Sequence, residues 1–121
     1  MISPMPGAQL MFGPYPGQIV DWHDGDTCHV NLDLGFGIHL MAPVSCRIFG
    51  INAPELATPE GKISLAYAVS LAPNGTDVTV TSHGWDKYRG RFDGSLELPD
   101  GTDFATVMLK AEQAVPYPPV G

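Results

Sequence analysis

Apolar and polar residues alternate with a period of two along much of this chain, which marks strands. In "DTCHVNLDLG", Cys28, Val30, Leu32 and Leu34 share one face, and Thr27, His29, Asn31 and Asp33 share the other, the pattern of a half-buried strand. "GQIVDWH" reads as a short strand before it. "GFGIHLMAPV" reads as a turn and the start of the return, and "VSCRIFGI" as the next strand, with Val44, Cys46 and Ile48 facing away from Ser45, Arg47 and Phe49. Pro54 and Pro59 break regular structure and make "NAPELATPEG" a loop. "KISLAYAVSLA" reads as a helix with Ile63, Ala66, Tyr67 and Ser70/Leu71 on its inner face, stopped by the turn "PNG". "DVTVTSHG" is a strand with Val78 and Val80 on one face, "DKYRGR" a loop or strand start, and "FDGSLEL" the strand after it. Thr102 is placed to cap a second helix, in which Phe104, Val107, Met108 and Ala111 fall at i, i+3, i+4 and i+7. "VPYPPVG" reads as an extended tail. This order predicts a mainly β, α+β fold: a five-stranded OB-type barrel with two packed helices, an SH3-like barrel being the alternative.

The chain has 121 residues, enough for one domain with one core. The expected organisation is a loose arm over residues 1–17, a folded domain over 18–117 and a tail over 118–121. No apolar stretch approaches the roughly 20 residues of a membrane span. The opening stretch lacks a basic region followed by an apolar core and does not read as a signal peptide. A monomer without a membrane partner is expected, cytoplasmic by default.

Six basic residues against thirteen acidic ones leave a net charge of −7, which argues against a broad basic face coating nucleic acid. A small basic site on an acidic body is still compatible with it. The three arginines are Arg47, Arg89 and Arg91, two of them within "DKYRGRF". Such narrow placement suits either one specific anion or a pair of ordinary surface ion pairs. The two cysteines, Cys28 and Cys46, form no disulfide framework or CxxC motif. Each lies on the apolar parity of its strand, so they are expected as core thiols on neighbouring strands.

Candidate chemistry begins at "DGDT", Asp24 to Thr27. Read alone it is a tight turn entering a strand. An EF-hand loop counted from Asp24 would place its twelfth ligand at Gly35, where glutamate is needed. Taken in order, "DGDT", "CRIFGINAPE", "DKYRGR" and the capped helix after "LPDGTDF" resemble the staphylococcal nuclease (thermonuclease) family over roughly Gln18 to Tyr117. The resemblance implies a calcium-dependent OB-fold phosphodiesterase, an endonuclease on DNA and/or RNA with low sequence preference. It implies that Asp26 and Asn52, with the backbone carbonyl of Ala53, bind the metal. It casts Glu55 as general base, and Arg47 and Arg91 as phosphate ligands. Lys87, Tyr88, Arg89 and Tyr117 would border the nucleotide.

The chain departs from the family pattern in three places. Asn52 stands where the family often has aspartate, one residue is added before "GR", and Glu112 stands where the family commonly turns with glycine. Asn52 suits an Asx-turn before Pro54 as well as metal ligation. The added residue leaves Arg89 and Arg91 both open as the second phosphate ligand. The alternative function is an OB-fold nucleic-acid or nucleotide binding module with weak or no catalysis.

Overall fold

The computed structural model describes residues 11–86 and 90–118. The elements run β1 (Phe12–Asp24), β2 (Thr27–Gly35), β3 (Ile38–Ile48), β4 (Ile51–Asn52), α1 (Pro59–Leu71), β5 (Asp77–Trp85), β6 (Arg91–Glu97), α2 (Phe104–Lys110) and β7 (Val115–Pro116). Five strands close a barrel in the order β1-β2-β3-β6-β5, and β4 pairs with β7 in a separate two-stranded sheet. Neighbours in the ring are antiparallel except β3 and β6, which run parallel with Arg47 opposite Asp93. This is the expected OB-type barrel with two helices.

The alternating faces behave as their parity requires. Cys28, Val30, Cys46, Ile48, Val80 and Leu96 are fully buried inside the ring. Cys28 and Cys46 are directly opposed in the β2–β3 register and remain free thiols. The neighbouring Cys28 sulfur and complete burial push the Cys46 thiol well above its ordinary range, so it is held as an inert thiol.

Four expectations about the elements need correction. β1 begins at Phe12 and pairs with β5 from there, so residues 12–17 belong to the barrel and not to the arm. α1 buries Gly61, Ser64 and Ala68 and packs the expected Tyr67 and Leu71 against the core, whereas Ile63 is 59% exposed. Small residues win because the helix lies close against the barrel, and Ser64 Oγ donates to the Gln113 carbonyl at 2.8 Å. The cap of α2 is Asp103, whose carboxylate accepts from the Thr106 amide at 3.1 Å; Thr102 turns back to Asp100 instead. The expected tail contributes β7, which pairs with β4.

α2 packs Phe104 and Met108 into the core, and Phe104 stacks on Trp22 with ring centroids 4.7 Å apart. The helix ends in a Schellman motif: Gln113 N donates to Met108 O and Glu112 N to Leu109 O. That motif places Glu112 at φ 58°, a left-handed conformation that costs a side-chain-bearing residue about 1 kcal/mol or more. Glu112→Gly is therefore expected to stabilise the fold by roughly 0.5–1 kcal/mol, glycine's extra unfolded-state entropy offsetting part of the relief. Urea unfolding should show a higher midpoint at constant slope.

No helix among the described residues is long and apolar enough to cross a membrane.

Candidate functional site

The site grows from the β1–β2 turn. Asp24 Oδ1 accepts from the Asp26 amide at 3.1 Å, an Asx-type turn that brings the two carboxylates together. Burial and the neighbouring Asp26 raise Asp24 to about 6. Asp26 itself is only 6% exposed. Its Oδ1 accepts from Thr27 Oγ1 at 3.0 Å, and its Oδ2 from the Ala53 amide at 2.8 Å. Asp26 therefore ties the turn to the loop that carries Asn52, Ala53 and Glu55. Gly25 between the aspartates is required by packing, because a Cβ there would run into Ser64 Oγ of α1.

Arg47 sits at the centre. Its Nη1 donates to the carbonyls of Ile48 (2.9 Å) and Ile51 (2.8 Å), and its Nη2 to Asn52 Oδ1 (3.3 Å). Nη2 also lies 3.8 Å from Asp26 Oδ2, and the guanidinium carbon lies 5.4 Å from the Tyr117 ring centroid. Arg47 thus pins the turn after β3 and neutralises Asp26, a structural duty. Asn52 is exposed on β4, held from one side by Arg47 and paired through its strand with Val115.

Arg91 opens β6 beside Ser45, and Asp93 lies two residues on beside Arg47. By strand parity Arg47, Arg91 and Asp93 share one face. Arg91 Nε donates to Asp86 Oδ2 at 2.8 Å. Asp86 and Asp93 meet as well. Burial, the Asp86 carboxylate as acceptor for protonated Asp93, and the Asp86 charge raise Asp93 to about 6, against the opposing pull of Arg47 and Arg91. These groups adjoin a pocket of about 200 Å³ walled by Arg47, Phe49, Gly50, Asp86, Asp93 and Tyr117.

Glu55 is exposed. Its backbone carbonyl accepts from both the amide and the hydroxyl of Thr58 (3.0 and 2.7 Å), while its carboxylate makes no hydrogen bond or ion pair with the described residues. The loop is thus anchored through its main chain, leaving the acid group toward solvent. Lys87, Tyr88 and Arg89 lie outside the described residues.

Asp26, Asn52, Ala53, Arg47 and Tyr117 are thus brought together, with Glu55 on the same loop and Arg91 on the adjoining strand. Sequence reading missed Asp24, Asp86, Asp93 and Phe49 as neighbours of the site. For Asp93 the signal was present: the two-residue spacing from Arg91 puts both on one strand face.

Among the described residues no three His, Cys, Asp or Glu side chains stand together as a metal site. The side-chain donors at hand are oxygens: the Asp26 carboxylate and the Asn52 amide, with Asp24 against Asp26. An all-oxygen set with few protein ligands suits calcium with water completing its shell, and does not suit zinc.

No protein-family model matches the chain, and no curated protein matches it in sequence.

Proposed function

We propose that the protein is a phosphodiesterase acting on DNA and/or RNA with calcium, as its resemblance to the staphylococcal nuclease family implies. The observation that carries this reading is the convergence of two arginines on one barrel face, beside a pocket walled by Tyr117 and adjoining the Asp26 carboxylate. Arg47 and Arg91 supply guanidinium forks for phosphate oxygens, which gain charge in the transition state. Glu55, exposed on the loop anchored to Asp26 through Ala53, takes the proton from the attacking water. Tyr117 offers a ring face for a base. Asp26, Asn52 and the Ala53 carbonyl would hold calcium, which supplies Lewis-acid stabilisation of phosphate charge when bound.

A binding module without catalysis is the second reading. It is favoured by Asn52 and by the carboxylates already engaging both arginines. Incubation of the purified protein with single-stranded DNA and RNA, with calcium or with chelator, separates the two. Calcium-dependent cleavage supports the first; retention of the strand without cleavage supports the second.

Asn52→Asp is expected to tighten calcium binding by roughly tenfold, because a second carboxylate adds charge at contact distance in a wet site. Calorimetric titration of both proteins in the same salt measures it. Equal affinity would assign position 52 to the turn and to Arg47 alone.

A further inference from the structure

The two arginines cast as phosphate ligands already face carboxylates from their own barrel. Arg91 is bound by Asp86 at 2.8 Å, and Arg47 lies opposite Asp93 in the parallel β3–β6 register. Asp86 and Asp93 both wall the pocket beside Arg47 and Tyr117. An incoming phosphodiester brings a negative charge to a place where two carboxylates compete for the same guanidinium groups. We propose that this pocket takes up a phosphodiester together with a proton, Asp93 being the group that must be neutral for the anion to be held. This rests on the reading of Arg47 and Arg91 as phosphate ligands and adds the regulation of that same site.

The physical case is a competition of charges. With Asp93 ionised, the local set of Asp86, Asp93, Arg47 and Arg91 is balanced, and Asp26 adds a further negative charge 3.8 Å from Arg47. A phosphate then meets no surplus of positive charge. One proton on the Asp86–Asp93 pair brings these groups from a surplus of negative charge to neutrality, so the anion is no longer repelled, and the carboxyl can donate to a phosphate oxygen. Both carboxyls wall one pocket, and burial with Asp86 alongside raises Asp93 to about 6, so the change falls near neutral pH. An anion bound beside Asp93 raises it further, because like charges oppose its ionisation. By linkage, anion affinity is then full below this range and falls as pH rises through it.

Among the described residues the other titratable groups around Asp93 are few. His83 on β5 stacks on Phe49, and burial lowers it below its usual range. Cys46 on β3 is buried and held as a thiol, and Tyr117 faces Arg47. Asp24, next to Asp26, also sits at about 6, so only a variant at position 93 separates the two acids.

The test uses a thymidine dinucleotide, whose diester carries one charge throughout the range, titrated calorimetrically in calcium-free buffer so that no cleavage competes. The wild-type protein should bind up to roughly 30-fold more weakly at about pH 7.5 than at about pH 5, the ratio of protonated fractions for a group near 6. Paired buffers of different ionisation enthalpy should show uptake approaching one proton at the higher pH. Asp93→Asn should bind at the higher pH as tightly as the wild type does at the lower, with the uptake lost. A wild-type protein that binds equally at both values without proton uptake overturns the proton linkage and leaves the phosphodiester reading standing. An Asp93→Asn variant that keeps the wild-type slope also overturns the assignment to Asp93. If neither protein binds at either pH, the phosphate reading of the arginines falls, and the proton linkage with it. Should Asp93→Asn not fold, the wild-type titration in paired buffers still decides whether binding and protonation are linked.

Discussion

Glu55→Gln is expected to abolish most cleavage, by about 10²–10⁴-fold, while leaving stability within error of the wild type. The two halves of this expectation come from different atoms of one residue. The Glu55 carbonyl anchors the loop by accepting from the Thr58 amide and hydroxyl, and the substitution keeps it. The residue is exposed and its carboxylate makes no hydrogen bond or ion pair with the described residues, so the substitution should cost the fold little. An amide cannot accept a proton from water at neutral pH, so the chemical step alone should suffer. Single-turnover cleavage of a short oligonucleotide, beside a thermal melt, measures both. Unchanged turnover in a protein whose wild type cleaves would remove Glu55 from the role of base.

Gly61→Ala is expected to be the most damaging conservative change in the described chain. A methyl group at this position would overlap the Glu55 carbonyl and press on the Leu56 backbone. Neither obstacle is a side chain that can swing away. The first turn of α1 must then lift off the loop, at a cost of roughly 3 kcal/mol, the upper end of overpacking penalties. For a domain of this size the unfolding midpoint should drop on the order of 10 °C. The same shift displaces Glu55, so cleavage should fall even at temperatures where the variant stays folded. Alanine is the better helix former, so a stabilised Gly61→Ala would show that the loop and helix are not in this contact.

The barrel was legible because its rule is local. One face of "DTCHVNLDLG" is apolar at every second position, and the strand needs no other information to choose its inner side. Arg91 at the start of a strand and the opposed cysteines followed from the same parity. The face of α1 was legible only in part: Tyr67 and Leu71 do pack against the core, but the residues that approach closest, Gly61, Ser64 and Ala68, are small. Hydrophobicity points instead to Ile63, which faces outward. Closeness of approach is a property of two surfaces, and one stretch of sequence shows only one of them. The left-handed turn at Glu112 was legible as a glycine position occupied by another residue, and φ 58° is found there. At the site, the motifs named the residues but not their existing partners. That Arg47 spends two donors on the turn carbonyls of Ile48 and Ile51, and that Asp86 engages Arg91, depends on how β3, β5 and β6 are laid side by side.

The small β4–β7 sheet has a consequence for the order in which the molecule assembles. Ile51 and Asn52 pair with Pro116 and Val115, and Tyr117 N donates to Gly50 O at 2.9 Å. This joins segments more than sixty residues apart, beyond every strand of the ring. The β1–β5 seam that closes the ring, Phe12 against Ser82, spans a comparable separation, so it is chain order that sets the β4–β7 contact apart: residues 115–117 follow every strand of the ring. The ring can therefore exist on a growing chain before Tyr117 reaches Arg47, leaving the pocket without that wall. On such a chain the wall that Tyr117 gives the pocket would be added only after the ring strands have been made.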